Sequence, residues 1–316
     1  MDVSAEFGPQ YSTGWWNSIA SLDFNQDGKL EYVLGNLGLN SRWKANPEQP
    51  LIMVAKDFDG NKSVDPVMFQ YLQNGFFAIP GRDMLVSQVP SWKTKFLAYA
   101  DYANTKLEDF FDSNQLEGSL RIEADYFQSA VLEMSGTQYS LRPLPIEAQF
   151  APQYGILSLE SKEGKNHSLL VTGNFYGNET VTGRYDASKG LHIAVENGSF
   201  KSMPLDESGF EAYGQGRALA ILRDKNGNAL VIAAQHGDSL KVFKNQKSQS
   251  YKRIVKLRPL DHKAKITYKD GSKSIQEFYY GEGFLSQSSR IFPILNSYLK
   301  VEITDFQGGK RTVWEE

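Results

Sequence analysis

Asp23, Asn25, Asp27 and Glu31 occupy the first, third, fifth and ninth positions of one short polar stretch. Each offers a side-chain oxygen. Hard cations such as Ca2+ take about six to eight oxygens, mixing carboxylate, amide and backbone carbonyl donors. This spacing therefore lets one loop wrap around one ion. Gly28 stands sixth, where a tight loop needs a residue tolerant of unusual φ. A second copy runs from Asp57 to Asp65, with oxygen at positions one, three, five and nine from Asp57, Asp59, Asn61 and Asp65. Its glycine, Gly60, has moved to position four.

Strands must hold such loops. Ile19–Leu22 leads into the first and Tyr32–Leu34 leads out, which predicts a loop between two strands. The same plan recurs along the chain. Ile156–Leu159 and Leu169–Asn174 form a second strand–loop–strand unit, and Leu219–Leu222 and Leu230–Gln235 a third. The step between these last two is about 60 residues, the size of one four-stranded propeller blade with generous loops. The Asp57–Asp65 loop belongs to a further unit between the first and second. Further strands are expected at Leu120–Glu123, Ser129–Met134 and Leu191–Val195. Asn197-Gly198 signals a tight hairpin turn, and Leu240–Phe243 ends the repeating part.

Between them, Trp92, Phe96, Tyr99, Ala100, Ala103, Leu107, Phe110 and Phe111 recur every three or four residues. That predicts an amphipathic helix of about 20 residues, with Ser91 as its N-cap. Residues 82–113 thus read as a helical insertion between strands of one blade, packing over a sheet edge or face. From about residue 250 the texture changes to alternating strands with hairpin turns at Asp270-Gly271 and Gly308-Gly309. The expected organisation is a repeat region over 1–249 and a small β module over 250–316, joined by a short polar linker, Lys244–Ser250.

Composition narrows the function classes. Hydrophobic residues make up 41% and charged ones 22%, the profile of a globular chain with a sizeable core. The formal net charge of -3 gives no overall attraction to a phosphate backbone or an anionic membrane. No cysteine is present, which excludes disulfides, thiolate metal sites and cysteine nucleophiles. No apolar run approaches the ~20 residues of a membrane helix. The first ten residues lack the basic and apolar regions of a signal peptide. The chain is therefore expected to be either cytoplasmic or a mature or trimmed form of an exported protein.

The Asp-x-Asn-x-Asp-Gly-x-x-Glu loop between hydrophobic strands resembles the FG-GAP/VCBS repeat of integrin-α-like β-propellers. The flanking text, Gly14–Ile19, Gly35–Asn40, Gly173–Gly177 and Gly183–Ala187, looks like the exported VCBS-repeat proteins of Bacteroidetes. The tail, Gly281–Ser289 followed by Val301–Ile303, resembles the ASPIC/UnbV module that closes many of them. This resemblance covers nearly the whole chain, and its specific part is the two loops. It implies an all-β propeller whose loops bind Ca2+. Asp23, Asn25, Asp27 and Glu31 carry over as side-chain ligands with the Lys29 carbonyl. Asp57, Asp59, Asn61 and Asp65 carry over with the Ser63 carbonyl. Glu31 is longer than the usual Asp at position nine. The later loops, Glu160–Ser168 and Arg223–Ala229, have lost the pattern and are expected to hold no metal. Such propellers have about seven blades, whereas about four units are recognisable here. That predicts a C-terminal piece of a longer protein or a divergent short form.

Two rival classes leave weaker traces. The four histidines, His167, His192, His236 and His262, form no HExxH-type pair, and neither a Gly-x-Ser-x-Gly elbow nor a phosphate-cradling glycine loop is present. An enzyme, glycan-processing or other, would have to draw its residues from several loops. The tail interleaves Lys252, Arg253, Lys256 and Lys265 with Tyr251, Tyr268 and Tyr279, which could stack nucleic-acid bases. On alternating strands this is more often a solvated sheet face. Trp15, Trp16, Phe175 and Tyr176 lie near loop ends and are candidates to grip a glycan or protein partner. The expectation is a calcium-binding, non-catalytic recognition or scaffolding module. Its place would be the cell surface, the exterior or the periplasm, and its partner a protein, a glycan or the remaining blades of a longer chain.

Overall fold

A computed structural model of the chain describes residues 6, 8–160, 167–196, 198–244 and 251–316. Strands dominate, and every strand pairing among the described residues is antiparallel. The protein is all-β in class. It divides into two compact units, one of Trp16–Asn40 and Gln128–Glu316, the other of Gln10–Trp15 and Ser41–Phe127. The linker expected at Lys244–Ser250 falls on 245–250, outside the described residues.

The first sheet begins with the hairpin of β1 (Ser18–Leu22) and β2 (Glu31–Gly35) around the first polar loop, with Leu22 opposite Glu31. The chain then departs to build the second unit. There β3 (Leu51–Lys56) and β4 (Asp65–Leu72) enclose the second polar loop, and Lys56 stands opposite Asp65. β5 (Gly75–Ala78), a helical run and β6 (Leu120–Ala124) follow, giving the sheet order β5-β4-β3-β6. Only afterwards do β7 (Ala130–Ser135) and β8 (Gln138–Pro143) complete the first sheet, in the order β1-β2-β7-β8. One strand–loop–strand unit is thus nested inside another.

The long amphipathic helix does not form. Arg82–Gln88, Tyr99–Asn104, Leu107–Phe110 and Ser113–Leu116 are separate short helices, with a 3-10 turn at Pro90–Lys93. Pro90 lacks an amide hydrogen, and Val89 before it has non-helical backbone angles (φ -124, ψ 88), as the steric bulk of a following proline demands. Ala98 and Lys106 are extended as well. Ser91 caps no α-helix; its carbonyl accepts from the Thr94 hydroxyl at 2.9 Å. The apolar spacing reflects a shared core. Trp92, Phe96, Phe110 and Phe111 are all buried, while Tyr99, Ala100 and Ala103 face solvent.

In the first unit, β9 (Gln153–Glu160), β10 (His167–Gly173), β11 (Leu191–Glu196) and β12 (Ser199–Met203) form an up-and-down sheet of consecutive strands. Asn197 of the expected hairpin turn lies outside the described residues. Leu191, Ile193 and Val195 alternate with less buried neighbours, the period-two pattern of a half-covered strand. One core cluster joins Leu22, Val33 and Val131 to Ile156, Leu169 and Ile193, each contributing about 1.5–3 kcal/mol by burial. β13 (Gly216–Arg223), β14 (Ala229–Gln235) and β15 (Lys241–Lys244) make a three-stranded sheet.

A buried amide follows or ends the second strand of three of the strand–loop–strand units, those of β1–β2, β9–β10 and β13–β14. Asn36 and Asn174 are fully buried and Gln235 nearly so. Asn174 donates to the carbonyls of Ser188, Tyr213 and Gly214, pinning the next connection. The C-terminal strands are β16 (Arg253–Lys256), β17 (Asp261–Tyr268), β18 (Lys273–Glu277), β19 (Ile291–Ile294), β20 (Tyr298–Asp305) and β21 (Lys310–Glu315). They pair as β16-β19 and β18-β17-β20-β21 around Ile266, Tyr268, Phe292 and Tyr298. Gly271 and Gly308 take positive φ in the two hairpin turns.

Candidate functional site

The two polar loops share one construction. Their position-one carboxylate accepts from the amide at position six: Gly28 to Asp23 Oδ2 at 3.2 Å, and Lys62 to Asp57 Oδ2 at 2.8 Å. Position three accepts from position five, Asp27 N–H to Asn25 Oδ1 at 2.9 Å and Asn61 N–H to Asp59 Oδ1 at 3.1 Å. Position five accepts from position seven, Lys29 N–H to Asp27 Oδ1 at 2.8 Å and Ser63 N–H to Asn61 Oδ1 at 2.7 Å. Position nine opens the return strand and accepts from the amide at position two, Phe24 to Glu31 Oε2 at 3.2 Å and Phe58 to Asp65 Oδ2 at 3.0 Å.

The displaced glycine now has a reason. Positions four and six are left-handed in both loops: Gln26 at φ 59 and Gly28 at φ 80, Gly60 at φ 77 and Lys62 at φ 71. Each loop gives a glycine to one such position and strains the other. A Cβ on Gly28 would meet nothing within 4 Å, so only the backbone resists it. Gly28→Ala is expected to cost about 1–2 kcal/mol, and Lys62→Gly to recover about as much. Urea unfolding midpoints of the two variants, moving in opposite directions, check this.

Position two is the anchor that the sequence reading passed over. Phe24 packs edge-on against Phe200 at 5.2 Å, with the Arg142 guanidinium 5.5 Å from its ring. Phe58 stacks on Phe111 at 5.0 Å and lies 5.3 Å from Trp92. The repeated Asp-Phe opening was the available signal.

Charge crowding separates the loops. Oxygens of Asp57, Asp59 and Asp65 lie within 4.8 Å of one another, on a loop where Asp59 is exposed and Asp65 buried. No such trio forms at Asp23, Asp27 and Glu31 among the described residues. There the Asn25 side-chain amide donates weakly to Asp27 and to Glu31, both at 3.4 Å. Asp23 is 1% exposed; its Oδ2 also accepts from the Ile275 amide of β18 at 2.9 Å, while its Oδ1 has no hydrogen-bond partner. Burial pushes Asp23 up to about 6 against the Ile275 hydrogen bond, with Asp27 adding repulsion. Burial, then the charges of Asp23, Asp27 and Glu133, push Glu31 up to about 7.

Both donor sets suit a hard divalent cation. The buried, unpartnered Asp23 oxygen and the crowded carboxylates are groups that such an ion would satisfy. Asn61 and Ser63 sit in the second loop's ladder and Lys29 in the first's.

The other candidates fall elsewhere. Of the later loops, 161–166 lie outside the described residues. In 223–229, Asp224 spends both oxygens inside its own loop, on the amides of Asn226 and Asn228 and on the Asn228 side chain. Trp15 packs on Trp43 and Phe127. Arg217 covers Phe175 at 5.2 Å and Arg184 covers Tyr176 at 5.0 Å, so these aromatics are engaged with their own chain. In the tail, Lys252 and Lys269 pair with Glu316. No helix among the described residues is long and apolar enough to cross a membrane. No protein-family model matches the chain, and no curated protein matches it.

Proposed function

We propose that this protein is a calcium-stapled, non-catalytic recognition or scaffolding module of an exported or cell-surface protein, built from propeller-type FG-GAP/VCBS blades and closed by an ASPIC/UnbV-like module. The up-and-down order of β9 to β12 supports the blade reading. The single observation that carries the metal reading is the Asp57, Asp59 and Asp65 oxygens gathered within 4.8 Å. They sit on a loop whose hydrogen-bond ladder is repeated, position for position, at Asp23–Glu31.

A flexible loop rich in carboxylate and amide oxygens favours Ca2+ over Mg2+, which demands a tighter octahedron and keeps its waters. Extracellular calcium modules bind at about 10⁻⁴ to 10⁻³ M, an affinity matched to a calcium-rich exterior. Each ion would offset clustered negative charge and fix one hairpin.

The test is isothermal calorimetry with CaCl2 on EDTA-stripped protein, with melts at matched calcium. At a hundredfold excess over the dissociation constant, each site should add about 2.7 kcal/mol. Asp59→Asn keeps the turn's acceptor oxygen and removes one charge from an exposed side chain. It should weaken the second site by about tenfold, or about 1.4 kcal/mol. A calcium response unchanged in Asp59→Asn and in Asp23→Asn would reduce both loops to ordinary turns.

A further inference from the structure

The first unit contains a cavity of about 450 Å³, which the first polar loop touches at Asp23. Its walls come from β1, β2, β9, the start of β10, the end of β13, and from β18, β19 and the connection between them. The volume lies within the range of about 300–1,000 Å³ typical of small-molecule sites. Ile19, Ile156 and Ile221 give it apolar surface, and Ile19 stays 58% exposed on its strand.

Opposite chemistry shares the same walls. The Tyr279 hydroxyl donates to Glu277 Oε2, and Ser21 is hydrogen-bonded to Tyr279. Burial, then the Glu277 charge, pushes the nearby Tyr32 phenol up. His167 also lines the cavity. The Arg290 guanidinium lies 4.2 Å from the Tyr280 ring centroid. The lining's acids, Asp23, Glu277 and Glu282, are nearly balanced by Arg223 and Arg290.

We propose that this cavity binds a neutral saccharide unit. A near-balanced lining gives no surplus of cations to hold a phosphate or other polyanion. A wholly apolar guest would strip water from the Glu277 carboxylate and leave it only the Tyr279 hydroxyl and His262 Nε2 at 4.0 Å, which is costly for a charge. A ring hydroxyl both donates and accepts, so it can meet a carboxylate and a phenol together. The C–H faces of a sugar ring suit the isoleucine and tyrosine walls. This assignment rests only on the recognition half of the function proposed above. It does not need either loop to bind calcium.

The test is saturation-transfer NMR and calorimetry on the full chain in 5 mM CaCl2 (about tenfold above the affinity expected), with glucose, galactose, mannose, N-acetylglucosamine, lactose, maltose and cellobiose as probes. At least one should bind. Ile19→Trp fills the cavity from an exposed position and should abolish that binding. Glu277→Gln should weaken it by at least tenfold. Both variants should keep wild-type melting and the wild-type calcium response, so that lost binding is not lost folding. The proposal is overturned if none of the seven sugars binds, or if binding survives both substitutions. It is also overturned if the cavity instead takes anilinonaphthalene sulfonate or inorganic phosphate in a manner that Ile19→Trp blocks. Sugar binding without any calcium response would sink the calcium reading and leave this one standing; the converse would do the reverse.

Discussion

Freed of divalent cations, the protein is expected to lose stability as the pH rises from about 4 to about 7. Asp23 titrates at about 6 instead of 3.8, and Glu31 at about 7 instead of 4.5. Their folded forms hold protons that the unfolded chain has already released. Stability from this source is therefore complete below about pH 4 and is lost as the pH climbs through both folded values. Each displacement corresponds to about 3 kcal/mol. Part of the Glu31 displacement is owed to Asp23, so the pair costs less than twice that. Ordinary salt-bridged carboxylates impose the opposite slope, so the contribution is read as a difference. Urea midpoints of wild type minus Glu31→Gln, in EDTA between pH 5 and 8, should fall with pH.

A bound calcium ion reverses the sign. Its charge favours the ionised carboxylates, so the loaded protein should lose stability as the pH falls and protons displace the ion. Loading should also release protons: more than one at pH 6, where both groups are largely or half protonated, and almost none at pH 8. Calorimetry in buffers of different ionisation enthalpy measures that number directly. Equal proton release at pH 6 and pH 8, or an unchanged slope with and without calcium, would remove Asp23 and Glu31 from the ion's coordination sphere.

The loops were legible in the sequence because their chemistry is local. Oxygens at fixed spacing, a glycine and two flanking apolar runs lie within fifteen residues or so, and turn residues act through their own neighbours. The glycine's move from position six to position four has no reason visible in the sequence. It proves to be a choice between two left-handed positions that both loops possess. Nesting was not legible. Nothing in the text of β2 says that its next partner, β7, waits beyond residue 127, because strand pairing is set by faces that meet only in three dimensions. The supposed long helix failed for a related reason. A three-to-four spacing marks residues that share a core, and Trp92 and Phe96 share theirs with Phe110 across a chain broken at Val89, Ala98 and Lys106. The cavity was hidden for the same cause, since Ser21 and Glu277 come together from opposite ends of the chain.

Phe110→Ala should be the most damaging single change in the second unit, at about 3–5 kcal/mol. The ring is fully buried. It meets Phe69 at 5.1 Å, Trp92 at 5.5 Å, Phe96 at 5.1 Å and Phe111 at 4.9 Å. Those neighbours sit on β4, on the 3-10 turn, on the stretch after it and at the cap that follows Phe110, so none can swing in to fill the space without dragging its own backbone. The cost should then be the transfer of a phenyl group plus most of a cavity. The damage should also reach the second polar loop, because Trp92 and Phe111 are the surfaces on which Phe58 rests. Hydrogen exchange would locate the effect: protection lost across β3 and β4, and retained in β10, β14 and β17. Calcium binding at Asp57–Asp65 should weaken while that at Asp23–Glu31 does not, since Phe24 rests on Phe200 in another core. Phe58→Ala removes a half-buried ring and should cost less stability, yet weaken the same site. If Phe110→Ala shifts the unfolding free energy by under about 1 kcal/mol, the aromatic cluster is not the support of the loop. Its ion affinity would then be set by the Asx ladder alone.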